Sequence, residues 1–446
     1  MRNLLGLNSV YGQSSLLFVL GIISYLLQFL FTSYLTHQLT PAFYGNFFLA
    51  LNVLGILTNI FLLGTQTTAV KFMPRYIFLA NQSHLDNFLR WIFRVLRISF
   101  IICFALALLF AASMSFGHIF EAKSFSSYEL YIFMLWVTPF AAFMTLLQNF
   151  ILGGNHPIVN YLMQNDLVYL LQLILFVLLI SVLQWPLTNI NITFTLILSY
   201  VLLIALGFLF IYRHNTPLFK LILQDTVQHR SIADPAWKKM TIKVILTGII
   251  YTLNNCIDLF ILKAVTPYPA HVGWYSVVWV ICSLFPLIPQ SIVTLILPKI
   301  DLYTQPNSAL EIRSFQETLN KINRIIFAIL GTLTVFIIIF GKPILGLFGS
   351  EYIAAYPVLI ISVVAALITG IAMPAAYLLL YSSNINTLLF IDILELGLLL
   401  ILGFLLSIFY DIIGTSIAWL ITQCLVAALL IYFARHRTSL KSAWIF

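Results

Sequence analysis

Charge is scarce in this sequence. Asp, Glu, Lys and Arg make up 8% of the 446 residues, against 61% hydrophobic residues and a mean hydropathy of +1.03. A soluble domain carries about 25% charged residues, so an ordinary water-soluble globule is excluded. Cysteine is scarce too. The four, Cys103, Cys256, Cys282 and Cys424, lie far apart within apolar runs. That spacing excludes a disulfide framework and a metal-ligand cluster, and it reads them as small core residues. No metal and no cofactor is expected. The chain has no G-x-x-x-x-G-K-S/T, which excludes ATP hydrolysis by a P-loop. It also has none of the ~10-residue alternating segments of a membrane β-barrel.

What it has is long apolar runs. A membrane helix needs ~20 apolar residues, and twelve segments qualify: 14–36, 46–70, 92–113, 130–152, 161–184, 192–212, 244–266, 273–297, 325–348, 353–380, 386–409 and 412–433. The expected fold is an all-α polytopic membrane protein. The first run is too long for a signal-peptide core and no small-residue cleavage site follows it, so it reads as a span. The termini are short, and no attached soluble domain is expected. With the N-terminus placed in the cytoplasm, 19 of the 22 Lys and Arg residues fall inside, Lys123 and Lys342 fall outside, and Lys263 lies within a span. This bias sets the orientation: twelve spans, both termini cytoplasmic. The net charge of +8 is therefore a topology signal and calls for no nucleic-acid partner.

One short motif occurs twice. Pro41-Ala-Phe-Tyr-Gly45 opens span 2 and Pro269-Ala-His-Val-Gly273 opens span 8, 228 residues on. Six spans separate them, so both lie at the outer face. Span 2 carries Asn52, Asn59 and Gln66, spaced by seven, and ends in Pro74-Arg75. Span 8 carries Ser276, Ser283 and Gln290 at the same spacing and ends in Pro298-Lys299, each shifted by 224. Residues seven apart share one helix face. The chain thus reads as two parallel six-helix repeats around a central cavity: an N-terminal lobe 1–216, a C-terminal lobe 244–446, and a basic cytoplasmic linker 217–243 with a candidate interfacial helix. Parallel halves are a transporter architecture.

The stretch "LTPAFYGNFFLALNVLGILTNIFLLGTQTTAVKFMPRY" resembles the L-G-P-x-x-Y-G opening of polysaccharide-biosynthesis membrane proteins. "LFGSEYIAAYPVLIIS", from Leu347, resembles their F-G-x-x-Y-x-x-A-x-x-V-L stretch, and "DIIGTSIAWLITQCL", from Asp411, their final helix. Together these resemble Wzx-type flippases of the multidrug/oligosaccharidyl-lipid/polysaccharide exporter superfamily. Two positions depart from the pattern: Thr40 replaces the Gly of L-G-P, and the Arg often found just before it has no counterpart beside His37. The resemblance implies a multi-pass protein of the bacterial inner membrane that moves undecaprenyl-diphosphate-linked sugars between leaflets. It implies lipid-linked oligosaccharide, membrane lipids and other polysaccharide-assembly membrane proteins as partners.

Charge within a span costs roughly 2.5–3.5 kcal/mol on insertion scales, so it marks candidate sites. In span 7, Thr247, Tyr251, Asn254, Asn255 and Asp258 fall on one expected helix face. Tyr251, Asn254, Asn255, Asp258 and Lys263, with Asn59, Gln66 and Gln290, are the substrate and cavity candidates. Asp258, Asp166, Asp392 and Glu395 are the ion-coupling candidates. The last two sit three apart on span 11, close enough to share a proton. Lys71, Arg75 and Lys299 are cytoplasmic candidates for attracting a diphosphate. Each has a plainer reading: a hydrogen-bond network that packs the lobe, a lysine snorkelling to headgroups, or the positive-inside rule alone. Pro286 and Pro289 predict a kink in span 8.

Three other functions compete. A drug/cation antiporter of the same superfamily shares the layout and suits Asp258. A major-facilitator transporter shares it too, but its G-x-x-x-D-R/K-x-G-R/K-R/K loop is replaced here by "AVKFMPRYIF". A glycan polymerase or ligase needs an active-site loop. The richest outer loop offers only His118, Glu121, Lys123 and Glu129, without catalytic spacing, so no enzyme activity is expected.

Overall fold

The structure is a computed structural model describing residues 10–78, 82–119, 129–154, 156–214, 235–294, 309–381 and 385–438. Lipid offers no partner to backbone N–H and C=O groups, so apolar runs close their hydrogen bonds within helices. Nearly every described residue is helical. The helices are α1 (Val10–Gln38), α2 (Pro41–Leu62), α3 (Thr65–Phe78), α4 (Gln82–Ile119), α5 (Glu129–Gly153), α6 (Pro157–Val182), α7 (Asn189–His214) and α8 (Pro235–Asn254). They continue with α9 (Ile257–Val265), α10 (Pro269–Cys282), α11 (Leu284–Thr294), α12 (Ala309–Gly346), α13 (Tyr356–Tyr381) and α14 (Ile385–Thr438). The helices α2, α6, α8 and α10 begin on proline, which fits the first helical position because its missing N–H has no partner there.

Among the described residues, ten helices are long and apolar enough to cross a membrane, eleven with the bent pair α8–α9 counted as one span. The longest, α14, has 54 residues and leaves helical geometry at Asp411 (φ 51°, ψ −132°). Its two arms fold back so closely that a Cβ on Gly414 would collide with the Leu406 carbonyl. Divided there, α14 supplies two spans, and the twelve apolar segments are all accounted for. The molecule is an all-α polytopic membrane protein. Large apolar side chains such as Ile101, Phe104 and Leu109 of α4 stay exposed, a surface suited to lipid.

Three spans read as single helices are broken. Span 2 divides at Leu63 and Gly64, both with positive φ (49° and 71°). Span 8 divides at Ser283, because Pro286 has no N–H for the Cys282 carbonyl four residues back and its ring crowds that turn. Span 7 divides at Asn255 and Cys256. Cys424 also departs from expectation: it is exposed, while the other three cysteines are buried. A thiol is apolar enough for that setting.

The contacts form two compact units. One comprises Met1–Phe48 and Leu253–Phe446, the other Leu49–Thr252, a different partition from the sequence halves 1–216 and 244–446. In the first unit, α13 packs against α10, α11, α12 and both arms of α14, and α1 against α10 and α11. In the second, α5 packs against α3, α4 and α7. There α8 lies on α3: the Thr68 and Thr241 hydroxyls are 2.9 Å apart, and a Cβ on Gly64 would come within 2.9 Å of the Thr241 carbonyl. Trp237 anchors the start of α8. It is 2% exposed, donates a 2.8 Å hydrogen bond to the Tyr76 hydroxyl, and packs among Tyr76, Phe88 and Trp91.

Candidate functional site

The break in span 7 decides where its polar residues go. Asn is a poor helix former because its amide competes for backbone partners, and Asn254 and Asn255 close α8. Cys256 (φ −143°, ψ −7°) leaves the helical region and Ile257 starts α9. The expected single polar face is therefore corrected. Tyr251 and Asn255 are exposed, Asn254 is half-buried and Asp258 is buried.

Asp258 lies in the first turn of the new helix. Its Oδ1 accepts the Leu259 N–H at 2.8 Å and its Oδ2 accepts the Tyr275 hydroxyl at 2.8 Å. A carboxylate at a helix start is favoured by the positive end of the helix dipole. Lys263 sits half-buried in the last turn of α9, where a cation suits the opposite end of that dipole.

Asn254 reaches α14. Its Nδ2 donates to the main-chain oxygen of Asp392 at 3.0 Å, and its buried Oδ1 has no partner among the described residues. Asp392 and Glu395 are both half-buried. Glu395 Oε1 accepts Gln423 Nε2 at 2.7 Å, and Gln423 Oε1 accepts the Thr369 hydroxyl at 3.0 Å. A polar chain thus links α13, the second arm of α14 and its first arm. Gln423 is 6% exposed. Buried polar groups keep their place only when bonded, so this network fixes the Glu395 carboxylate. Gln423 and Thr369 were not among the expected site residues. Their signal in the sequence is that both are polar residues within apolar runs, although neither is charged.

The remaining candidates are dispersed. In the second unit Asn59 Nδ2 donates to the Thr252 hydroxyl at 2.9 Å, and Gln66 Nε2 donates to Asn59 Oδ1 at 3.4 Å. Those two stripe residues meet across the break in span 2. The corresponding serines do not form a free stripe: Ser276 bonds the Val272 carbonyl and Ser283 the Val280 carbonyl, each at 2.7 Å. Gln290 is exposed. Asp166 is buried in the wide π-type turn Leu162–Asp166 of α6, a distortion frequent at functional sites. Lys71 and Arg75 are exposed on α3. Lys299, Glu121 and Lys123 lie outside the described residues, as does most of the 217–243 linker. No group of three His, Cys, Asp or Glu side chains able to hold a metal occurs among the described residues.

No protein-family model matches the sequence, and comparison with curated proteins finds no match. Solved structures do match. A multidrug resistance MATE family transporter of the MOP superfamily, in an inward-facing conformation, is similar with a TM-score of 0.68 at 16% identity, over 94% of each chain. An outward-facing MATE transporter is similar with a TM-score of 0.67 at 17% identity, over 97% of this chain and 96% of that one. A MOP superfamily transporter from Pyrococcus furiosus, described by a reversed polarity of its binding pocket, matches with a TM-score of 0.67 at 16% identity, over 97% and 96%. The chain has the fold of MATE transporters of the MOP superfamily.

Proposed function

We propose that this chain is a transporter that flips polyprenyl-diphosphate-linked oligosaccharide from the inner to the outer leaflet. It works by alternating access of two six-helix halves, 1–216 and 244–446, with a coupled ion. One observation carries the substrate class: the residues that resemble polysaccharide exporters hold the demanding positions of the fold. Gly349 has a φ of 126°, Tyr352 is 1% exposed and Ala355 is fully buried in the same turn, and Gly45 sits in a backbone contact.

Asp392 and Glu395, with Asn254 and Gln423, are the coupling site in this reading. Two carboxylates on one helix face repel, and a bound proton or cation relieves that repulsion. Carboxylates in membrane spans are functional by default. Lys71 and Arg75, together with Lys299, attract the diphosphate at the cytoplasmic mouth. Lipid-linked oligosaccharide and membrane lipids are the partners, in the bacterial inner membrane.

Drug/cation antiport is the second reading. Its support is that matched structures are named multidrug resistance transporters and that the first unit holds in-span carboxylates. The test is flipping in proteoliposomes, with the polyprenyl-diphosphate oligosaccharide labelled on its sugar and its accessibility in each leaflet followed with time. Protein-dependent translocation is expected. Its absence under an imposed proton or sodium gradient, with cation-driven efflux of a small dye in the same vesicles, would replace the flippase reading by antiport.

A further inference from the structure

The two copies of Pro-Ala-x-x-Gly meet. Both belong to the first compact unit, one in Met1–Phe48 and the other in Leu253–Phe446. A Cβ built on Gly45 would lie 2.5 Å from the Gly273 nitrogen and 2.9 Å from the Val272 carbonyl carbon. A Cβ built on Gly273 would collide with the Pro41 carbonyl oxygen. These are main-chain atoms, which cannot turn aside as a flexible side chain does. Each glycine is the fifth residue of its helix, α2 or α10, and neither has the positive φ that would call for glycine on conformational grounds. In such a helical position alanine is the better helix former by about 1 kcal/mol. The glycines are therefore explained by the contact, as where small residues let membrane helices approach closely.

The surroundings of the crossing are dry. Tyr44 and Phe47 of α2 and Val272, Tyr275 and Ser276 of α10 are each 1% exposed or less. The neighbouring helix ends join it: the Ser33 hydroxyl donates to the Leu347 carbonyl at 2.7 Å, and Phe29 meets Phe348 edge-on at 4.7 Å. The ends of α1 and α2 are thereby held against α10 and the end of α12.

We propose that the Gly45–Gly273 crossing is the closing surface of the outer gate, so that the repeated motif is one latch made of two halves. The proposal rests on the alternating-access reading and its orientation. A seal of bare backbone has no side chain to rotate out of the way, so it is shut or apart with little between. Passage of a large head group to the outer leaflet requires it to part. Alanine at either position should prop it open.

The test measures the distance between spin labels at Thr40→Cys and Tyr268→Cys, the exposed residues preceding the two motifs. It uses the full chain in lipid with Cys424→Ala, the three buried cysteines retained. The unsubstituted glycines should give a predominantly short separation. Gly45→Ala or Gly273→Ala should shift the short-to-long ratio by about tenfold, as expected of overpacking a tight contact. Gly55→Ala on the same helix, with nothing within 4 Å of the added carbon, should leave it unchanged. An unchanged distribution in both alanine variants overturns the proposal. Should neither variant fold, cross-linking of the two cysteines in the glycine background decides: efficient joining by a short bifunctional reagent supports the latch, and its failure overturns it. None of these readouts needs substrate. A failed flipping assay beside a shifted distance would remove the substrate reading and leave the latch.

Discussion

The Glu395 carboxylate shows what single residues do here. It sits in an apolar run, yet its position is set by Gln423, whose own amide is set by Thr369. Structural and coupling roles make different demands on it. Glu395→Gln keeps the shape and an amide oxygen to accept from Gln423, so the thermal midpoint should hold to within about 1 kcal/mol of stability. If Glu395 carries the coupled ion, the same change should abolish the response of transport to an imposed gradient while exchange down the substrate gradient persists. Gln423→Leu keeps the carboxylate and removes the donor that positions it. It costs about 1–3 kcal/mol, and it weakens gradient-driven transport without abolishing it in the protein that folds. Transport assays with and without a gradient, beside denaturation midpoints in detergent, separate the two. Full coupling in Glu395→Gln would assign the carboxylate to packing alone.

At the scale of elements, the sequence located the apolar runs well because lipid forces each into helix, leaving composition to decide. It did less well inside the runs. Helical periodicity assumes an unbroken helix, and spans 2, 7 and 8 are interrupted at Leu63–Gly64, Asn255–Cys256 and Ser283. Only the last had a proline to announce it, three residues late. The face expected through Tyr251, Asn254, Asn255 and Asp258 fails at the break, because a change of axis resets which residues share a side. Asp392 and Glu395 lie in an unbroken stretch of helix, where residues three apart share a face. Gln423 as partner was not legible, since it depends on how α14 folds back at Asp411. The anchoring of α8 is equally hidden: the linker before it is marked by its basic residues, while the buried contact is the indole of Trp237. Trp237→Ala should destabilise the protein by about 3–5 kcal/mol, as large-to-small core changes do. Trp237→Phe should cost less, keeping the ring but losing the hydrogen bond to Tyr76. Equal midpoints for the two variants would show that aromatic bulk is not what holds α8 there.

At the scale of the whole molecule, orientation rests on a count of charges along the sequence, and helix packing does not report it. Lys and Arg cross poorly during insertion, so they collect on the cytoplasmic side. With the N-terminus placed in the cytoplasm, 19 of 22 fall on that side, and the proposed function takes this orientation. The proposed function depends on this assignment, because it decides whether the glycine crossing faces outward and whether Arg75 meets the diphosphate at the mouth where it enters. Thr188, in the turn between α6 and α7, and His436, near the end of α14, are both exposed; the proposed orientation puts the first outside and the second inside. With Cys424 replaced by alanine, a cysteine at position 188 should react in intact cells with a membrane-impermeant maleimide. A cysteine at position 436 should react only after permeabilisation. Seven spans separate the two positions in the twelve-span reading; an even number between them would make both react alike. An inverted chain would exchange them, placing the latch at the cytoplasmic face and reversing the direction of flipping proposed for it.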